Sequence, residues 1–127
     1  MILELKDFVN SKNALTDLMS VKMKFQLSYK VVNLVEKADK ELGFYYEQIK
    51  TIAEKFGAKD ENGEIRLDAN GNVLFKDDCV ESARKALNEL NAIQIDVDDN
   101  LLFQYSDLEN VELSPSSLFN LMPFIRK

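Results

Sequence analysis

One stretch of this chain decides its fold: residues 28–56 read SYKVVNLVEKADKELGFYYEQIKTIAEKF. Apolar side chains recur in this stretch at steps of three, four or seven positions, and no proline interrupts them. Such spacing is typical of one face of an α-helix. The stretch therefore predicts a long helix over Ser28–Phe56. Its apolar positions are Val32, Val35, Leu42, Tyr45, Ile49, Ile52 and Phe56.

Two glycines and the length of this helix allow further predictions. Gly57 follows the last apolar residue, where a glycine in the left-handed conformation commonly ends a helix. Gly43 lies inside the helix, where it costs about 1 kcal/mol relative to alanine, so we expect a neighbouring segment to approach closely there. The helix is about 43 Å long at 1.5 Å per residue, longer than a compact domain of this size is wide. We therefore expect it to protrude or to pair with a second chain, as in a homo-oligomer.

The chain before the long helix predicts one more helix and one ambiguous segment. Apolar spacing predicts a helix over Lys6–Met19. From Val21 to Leu27, apolar and polar residues alternate. Alternation favours a half-buried strand, but the adjoining helical pattern favours a helix equally, and both alternatives stay open.

A short internal repeat follows the long helix. Residues 60–67 read DENGEIRL, and residues 68–75 read DANGNVLF. Aspartate at the start of a tight turn and glycine at its left-handed position are what such turns require. Ile65–Leu67 and Val73–Phe75 are therefore predicted to form a β-hairpin across Asp68–Gly71.

The C-terminal part predicts a second helix over Asp78–Asn91, capped by Asp77 or Asp78. Alternation from Ile93 to Asp98 predicts a strand, and Leu101–Tyr105 is a candidate for another. Ser114 and Pro115 are a typical helix start, with serine at the cap and proline in the first turn. The predicted class is α+β in a single domain, residues 1–127. It comprises a long helix paired antiparallel with a second helix, a connecting β-hairpin, one or two further short strands and a C-terminal helix.

Composition excludes several kinds of chemistry. The 127 residues contain no histidine and a single cysteine, Cys79. Histidine-based catalytic triads, imidazole bases, histidine-containing zinc sites and internal disulfides are therefore excluded. The acidic neighbours of Cys79 are expected to raise the pKa of its thiol. We expect no catalytic, cofactor-binding or metal-binding residues and no enzyme. An enzyme using carboxylates and a divalent metal is the remote alternative.

Charge is unevenly distributed along the chain. Sixteen basic and 22 acidic residues give a net charge of −6. Residues 1–57 have a net charge of +1, and residues 58–127 have a net charge of −7. This balance disfavours direct nucleic-acid binding. The candidate interaction surface combines the apolar C-terminal residues with an acidic cluster: Leu118, Phe119, Leu121, Met122, Phe124, Ile125, Asp96, Asp98 and Asp99.

The sequence also carries expectations about location. No apolar run approaches the roughly 20 residues that a membrane-spanning helix needs, and the first ten residues lack the apolar region of a signal peptide. We therefore expect no membrane association and a cytoplasmic location.

Several short motifs occur in a fixed order along nearly the whole chain. They are KFQLSYK at 24–30, KFG at 55–57, DENG at 60–63, DANGN at 68–72, ELSPSSL at 112–118 and PFI at 123–125. In these motifs the chain resembles a family of small proteins of unknown function from phages and prophages of Gram-positive bacteria. The resemblance implies expression in the cytoplasm of an infected host, or association with the virion, and no catalytic residue is carried over from the family.

Two functions are compatible with these observations. The first is a non-enzymatic phage accessory protein that acts through protein–protein interaction or oligomerisation, in assembly or in host takeover. The second is a phage-encoded inhibitor of a host defence system, which sequesters a protein or a small signalling molecule through its acidic half.

Overall fold

Helices dominate the structure, a computed structural model that describes residues 1–126. In chain order the elements are β1 (Ile2–Glu4), α1 (Leu5–Met19), α2 (Phe25–Phe56), a 3-10 turn (Asp77–Cys79), α3 (Val80–Asn91), β2 (Gln94–Asp96), 3-10 turns at Asp99–Leu101 and Tyr105–Leu108, α4 (Pro115–Leu121) and a last 3-10 turn (Met122–Phe124). The predicted α+β class is confirmed in this coarse form: a mostly helical chain with a small antiparallel sheet, whose long helix packs against other helices.

The chain forms two compact units. The terminal unit contains Met1–Leu42 and the chain from Gln94 onward, and the central unit contains Gly43–Ile93. The division falls inside α2, so this helix contributes to both units. That the units fold as one domain over residues 1–127 stays a prediction.

The sheet of the terminal unit joins its two sequence-distant parts. β1 pairs antiparallel with β2, and Leu3 lies opposite Ile95. Both side chains are buried, whereas Gln94 and Asp96 are exposed, which confirms the predicted strand in part; it is shorter than Ile93–Asp98, and Ile93 is exposed. β1 was not predicted, because three residues are too few for alternation to be recognised.

The pairing of α1 with α4 builds the main helical layer of the terminal unit. The helix predicted over Lys6–Met19 is confirmed and begins one residue earlier. The predicted start of α4 is also confirmed, since the Ser114 hydroxyl accepts a hydrogen bond from the Ser117 N–H at 3.1 Å. The Ser117 hydroxyl donates in turn to the Asp17 carboxylate at 3.2 Å, which ties α4 to α1.

The core of the terminal unit centres on two aromatic rings. Phe8 of α1 meets Phe124 edge to face, with ring centroids 5.2 Å apart. Other large side chains of the terminal unit are also fully buried: Leu5, Leu18, Leu102, Phe103 and Leu121. The end of the chain is held there because the Phe103 N–H donates to the Phe124 carbonyl at 2.8 Å, and the Arg126 N–H donates to the Phe103 carbonyl at 2.7 Å.

The strand predicted at Leu101–Tyr105 is wrong. Leu102 and Phe103 are both buried and the next two residues, Gln104 and Tyr105, are both exposed, so the segment lacks the alternation of a half-buried strand. It forms the end of a 3-10 turn and a single parallel bridge between Phe103 and Ile125.

Neither alternative describes all of Val21–Leu27. Residues 21–24 have no regular structure, and Phe25 begins α2 three residues before the predicted start. The buried stripe in the first half of α2 agrees with the prediction at Leu42, but before it the buried residues are Val31 and Leu34 rather than Val32 and Val35. It consists of Val31, Leu34, Ala38 and Leu42. Val32, predicted to be buried, is therefore exposed.

Three short segments of the central unit close a ring of backbone hydrogen bonds. The Arg66 N–H donates to the Ala58 carbonyl, the Leu74 N–H donates to the Arg66 carbonyl, and the Ala58 N–H donates to the Leu74 carbonyl, at 2.8–3.0 Å. The hairpin predicted across Asp68–Gly71 is confirmed in part, by the antiparallel bridge between Leu67 and Val73. The other two antiparallel bridges, at Lys59–Ile65 and Gly57–Phe75, were not predicted.

The long helix ends before Gly57, as predicted, whereas the expectation of a close neighbour at Gly43 is wrong. Gly57 follows α2 but lacks the positive φ of a left-handed cap, which the structure gives to Gly63 and Gly71. A Cβ at Gly57 would instead collide with the carbonyl oxygen of Ala53. At Gly43 a Cβ would meet no atom within 4 Å, so no neighbour requires a glycine there.

The start of α3 also differs from the prediction. A 3-10 turn at Asp77–Cys79 precedes the helix, and no side chain caps it, so neither Asp77 nor Asp78 is the predicted cap. Ala83 and Leu90 form the buried face of α3. The antiparallel pairing of α3 with α2 stays a prediction.

Candidate functional site

The C-terminal segment, residues 118–125, presents apolar side chains on two opposite faces. Leu121 and Phe124 are fully buried and Ile125 is nearly so, which places these three predicted surface residues in the core. Phe119 and Met122 point the other way and are 72% and 57% exposed. Leu118 is also exposed, at 40%. The segment therefore docks by one face and leaves the other uncovered.

A groove of about 460 Å³ runs beside this uncovered face and is called the tail groove below. Its lining comes from β1, α1 and the C-terminal segment: Met1, Leu3, Asp7, Asn10, Phe119, Asn120, Met122 and Pro123. Five of these eight side chains are apolar, so the groove suits an apolar group with a few polar neighbours.

Asp7 is the one charged side chain in that lining. Its carboxylate accepts a hydrogen bond from the Glu4 N–H at 3.0 Å, as part of the capping arrangement at the start of α1. This bond fixes the orientation of the Asp7 side chain in the lining of the tail groove.

Two of the three aspartates of the predicted surface lie close to the tail groove. Met1 lines the groove, and its amino nitrogen lies 3.6 Å from Asp96 and 3.5 Å from Asp99. Asp99 also pairs with Arg126, at 3.7 Å. Asp98 is used differently, because its carboxylate accepts from the Asn100 N–H at 3.0 Å and caps a 3-10 turn. The structure thus joins the apolar tail to part of the acidic cluster.

Candidate catalytic groups are few in the described part of the chain. Among residues 1–126, no three acidic, cysteine or histidine side chains come together in a geometry that could hold a metal ion. Partial burial, followed by the charge of Asp78, raises the pKa of the Cys79 thiol, as expected from the sequence. A raised pKa disfavours the reactive thiolate.

A second apolar surface lies on α2 and was missed in the sequence. Phe25, Tyr29 and Val32 are 84%, 63% and 43% exposed, respectively, and are separated by one helical turn each. The signal was available, because residues 25–42 hold two apolar stripes in one helix. The two stripes are not separated in the sequence, where Phe25 belongs to the ambiguous segment and Val32 to the predicted buried stripe.

Another groove, of about 300 Å³, is lined in part by Asp107, which forms an ion pair with Lys30 of α2. The Lys30 ammonium donates to the Asp107 carboxylate at 2.9 Å, and the Gln104 N–H donates to the same oxygen at 2.8 Å. Burial acts to raise the pKa of Asp107, but these two hydrogen bonds and the lysine charge outweigh it and lower that pKa. Both charges are satisfied, so we assign the pair a structural role.

Across residues 1–126, none of the helices has the length and apolarity to cross a lipid bilayer. Comparison with known proteins found no family model, no curated protein and no solved structure that matches this chain. The geometry of the tail groove is therefore the basis on which a function is assigned.

Proposed function

We propose that this chain is a non-enzymatic accessory protein that acts by binding another protein in its tail groove. The observation that carries the proposal is the exposure of Phe119 and Met122 beside the groove, while the adjacent Leu121 and Phe124 are in the core. Burial of apolar surface contributes about 25 cal/mol per Å², so covering two large side chains supplies a useful part of a binding free energy. Exposed apolar patches next to a groove are typical of interaction sites.

The charges around the groove favour a partner of defined chemistry. Asp7 lies in the lining, and Asp96 and Asp99 lie near Met1 at its edge. Among the described lining residues, Asp7 carries the only side-chain charge, whereas the Met1 ammonium and Arg126 offset part of the charge of Asp96 and Asp99. The matching partner segment inserts a large apolar side chain and flanks it with lysine or arginine. The net charge of −6 also favours encounter with a basic protein surface.

The resemblance to phage and prophage proteins supplies the proposed setting. In an infected Gram-positive cell, such a protein acts in assembly of the particle or in takeover of the host. The lack of histidine and of a metal-holding cluster in residues 1–126 supports a binding role over catalysis.

The second candidate is an inhibitor that sequesters a host defence protein. The acidic edge of the tail groove favours it, since many proteins that act on nucleic acids present basic surfaces. Both candidates use the same groove, and the identity of the bound protein distinguishes them.

Affinity capture from phage-infected cells tests the proposal. The bait is the full chain, compared with the double variant Phe119→Ser and Met122→Ser. The control is Tyr105→Ser, which changes an equally exposed aromatic residue outside the groove lining. We expect one protein to be held by the wild type and the control and lost from the double variant. Equal capture by all three proteins would contradict the proposal. A capsid or tail protein supports an assembly role, and a defence effector supports the inhibitor.

A further inference from the structure

We infer that the outer face of α2 binds a second copy of this chain, with the two helices antiparallel. This surface consists of Phe25, Tyr29 and Val32 and is separate from the tail groove. The buried stripe of the same helix, beginning at Val31 and Leu34, lies on the other side. The three outer side chains are large, apolar and exposed, although nothing in their own unit requires them to be apolar.

The charges at the two ends of this face are complementary under a two-fold rotation. Lys22 and Lys24 precede Phe25, and Glu36 and Asp39 follow Val32 by one and two helical turns. All four side chains are exposed, and within residues 1–126 none forms an ion pair in the single chain. A face that is basic at one end and acidic at the other matches itself when reversed.

One register pairs the apolar residues with each other and the basic end with the acidic end. Setting Tyr29 of one copy against Tyr29 of the other brings Phe25 toward Val32 and the Lys22 segment toward Glu36. Because the contact is isologous, the Phe25–Val32 and Lys22–Glu36 pairs each occur twice. Covering the stripe also removes three exposed apolar side chains per chain from water. A parallel arrangement would instead place lysine against lysine.

Charge reversal gives a test that leaves the core intact. The full chain is studied by sedimentation equilibrium over a wide range of concentrations. We expect a reversible monomer–dimer equilibrium, weakened about tenfold or more by Tyr29→Ser. Lys22→Glu and Glu36→Lys are each expected to weaken it, and the two changes together are expected to restore it. Such a rescue is specific to the antiparallel register. Circular dichroism verifies that each variant keeps its helix content.

Phe119→Ser serves as the matched control, because it changes an exposed aromatic residue of the tail groove and leaves α2 untouched. It is expected to leave the dimer unchanged. A chain that stays monomeric at every concentration overturns the inference, as does a dimer lost with Phe119→Ser but kept with Tyr29→Ser. A monomer that binds a short single-stranded oligonucleotide through Phe25 and Tyr29 also overturns it. None of these results depends on capture of a partner by the tail groove.

Discussion

Asp60 and Asp68 make the same pair of hydrogen bonds at equivalent positions of the internal repeat. Each Oδ1 accepts from the backbone N–H two residues later at 2.8 Å and from the N–H four residues later at 3.0 Å. In each turn the following glycine, Gly63 or Gly71, has a φ near +80°, at 78° and 82°. The repeated sequence therefore folds into a repeated turn, and the two carboxylates are engaged by their own backbone.

Removing one of these carboxylates is expected to destabilise its turn. Asp68→Ala leaves the N–H groups of Asn70 and Asn72 without their acceptor, at a cost of about 1 kcal/mol because both groups are solvent-accessible. Glu61→Ala, in the first turn and without such bonds, is expected to change the free energy of unfolding by less than about 0.5 kcal/mol. Urea denaturation measures the free energy of unfolding of both variants. Equal costs for the two variants would contradict the role given to Asp68.

Replacement of Gly43 and of Gly57 by alanine is expected to change the free energy of unfolding in opposite directions. Gly43→Ala adds a methyl group into open space in a helix and is expected to stabilise the protein by about 0.5–1 kcal/mol. Gly57→Ala forces the Ala53 carbonyl to move and is expected to destabilise it by about 1 kcal/mol or more. Thermal unfolding followed by circular dichroism compares them. A loss of stability in Gly43→Ala would contradict the open space that the structure shows around this position.

The Lys30–Asp107 pair is expected to make stability depend on pH. The pKa of Asp107 is lower in the folded protein, so folding favours its charged form. Its contribution is therefore complete above the unfolded pKa, about 3.9, and is lost as pH falls through the folded pKa. Asp107→Asn is expected to cost about 1 kcal/mol at neutral pH, since the pair is partly exposed, and progressively less below about pH 4. Glu109→Gln, on an exposed neighbour, is the control. A cost that does not change between pH 7 and pH 3 would contradict this account.

The two faces of the C-terminal segment are expected to differ in their contribution to stability. Phe124→Ala removes a ring packed against Phe8 and is expected to cost about 3–5 kcal/mol. Phe119→Ala is expected to change the free energy of unfolding by less than about 0.5 kcal/mol. If Phe124→Ala prevents folding, Phe124→Leu gives a smaller, measurable loss. Similar values for the alanine variants at positions 119 and 124 would mean that the segment docks differently.

The sequence predicted the elements whose causes are local. The long helix follows from apolar spacing over residues 28–56, and α4 follows from Ser114 and Pro115. Both turns of the repeat follow from aspartate and glycine at fixed positions. The elements that the sequence did not predict depend on contacts between residues that are distant in the chain. β1 is a strand because β2 lies beside it, and the ring through Ala58, Arg66 and Leu74 closes only when three segments meet.

The candidate site was predicted in composition but not in geometry. The C-terminal residues were correctly recognised as apolar, but nothing local separates Phe119 from Leu121. Leu121 is buried and Phe119 is exposed because α1 covers only one face of α4. The exposed stripe on α2 was missed for a similar reason: two apolar stripes on one helix are told apart only by where the rest of the chain packs.

Site-specific crosslinking in infected cells tests the central claim most directly. A photoreactive phenylalanine analogue is placed at position 119, in the tail groove, and separately at position 105, outside it. The account predicts one crosslinked partner from position 119, lost when Met122→Ser is added, and none from position 105. Crosslinking of the same partner from position 105 alone, or from neither position, would contradict binding in the tail groove.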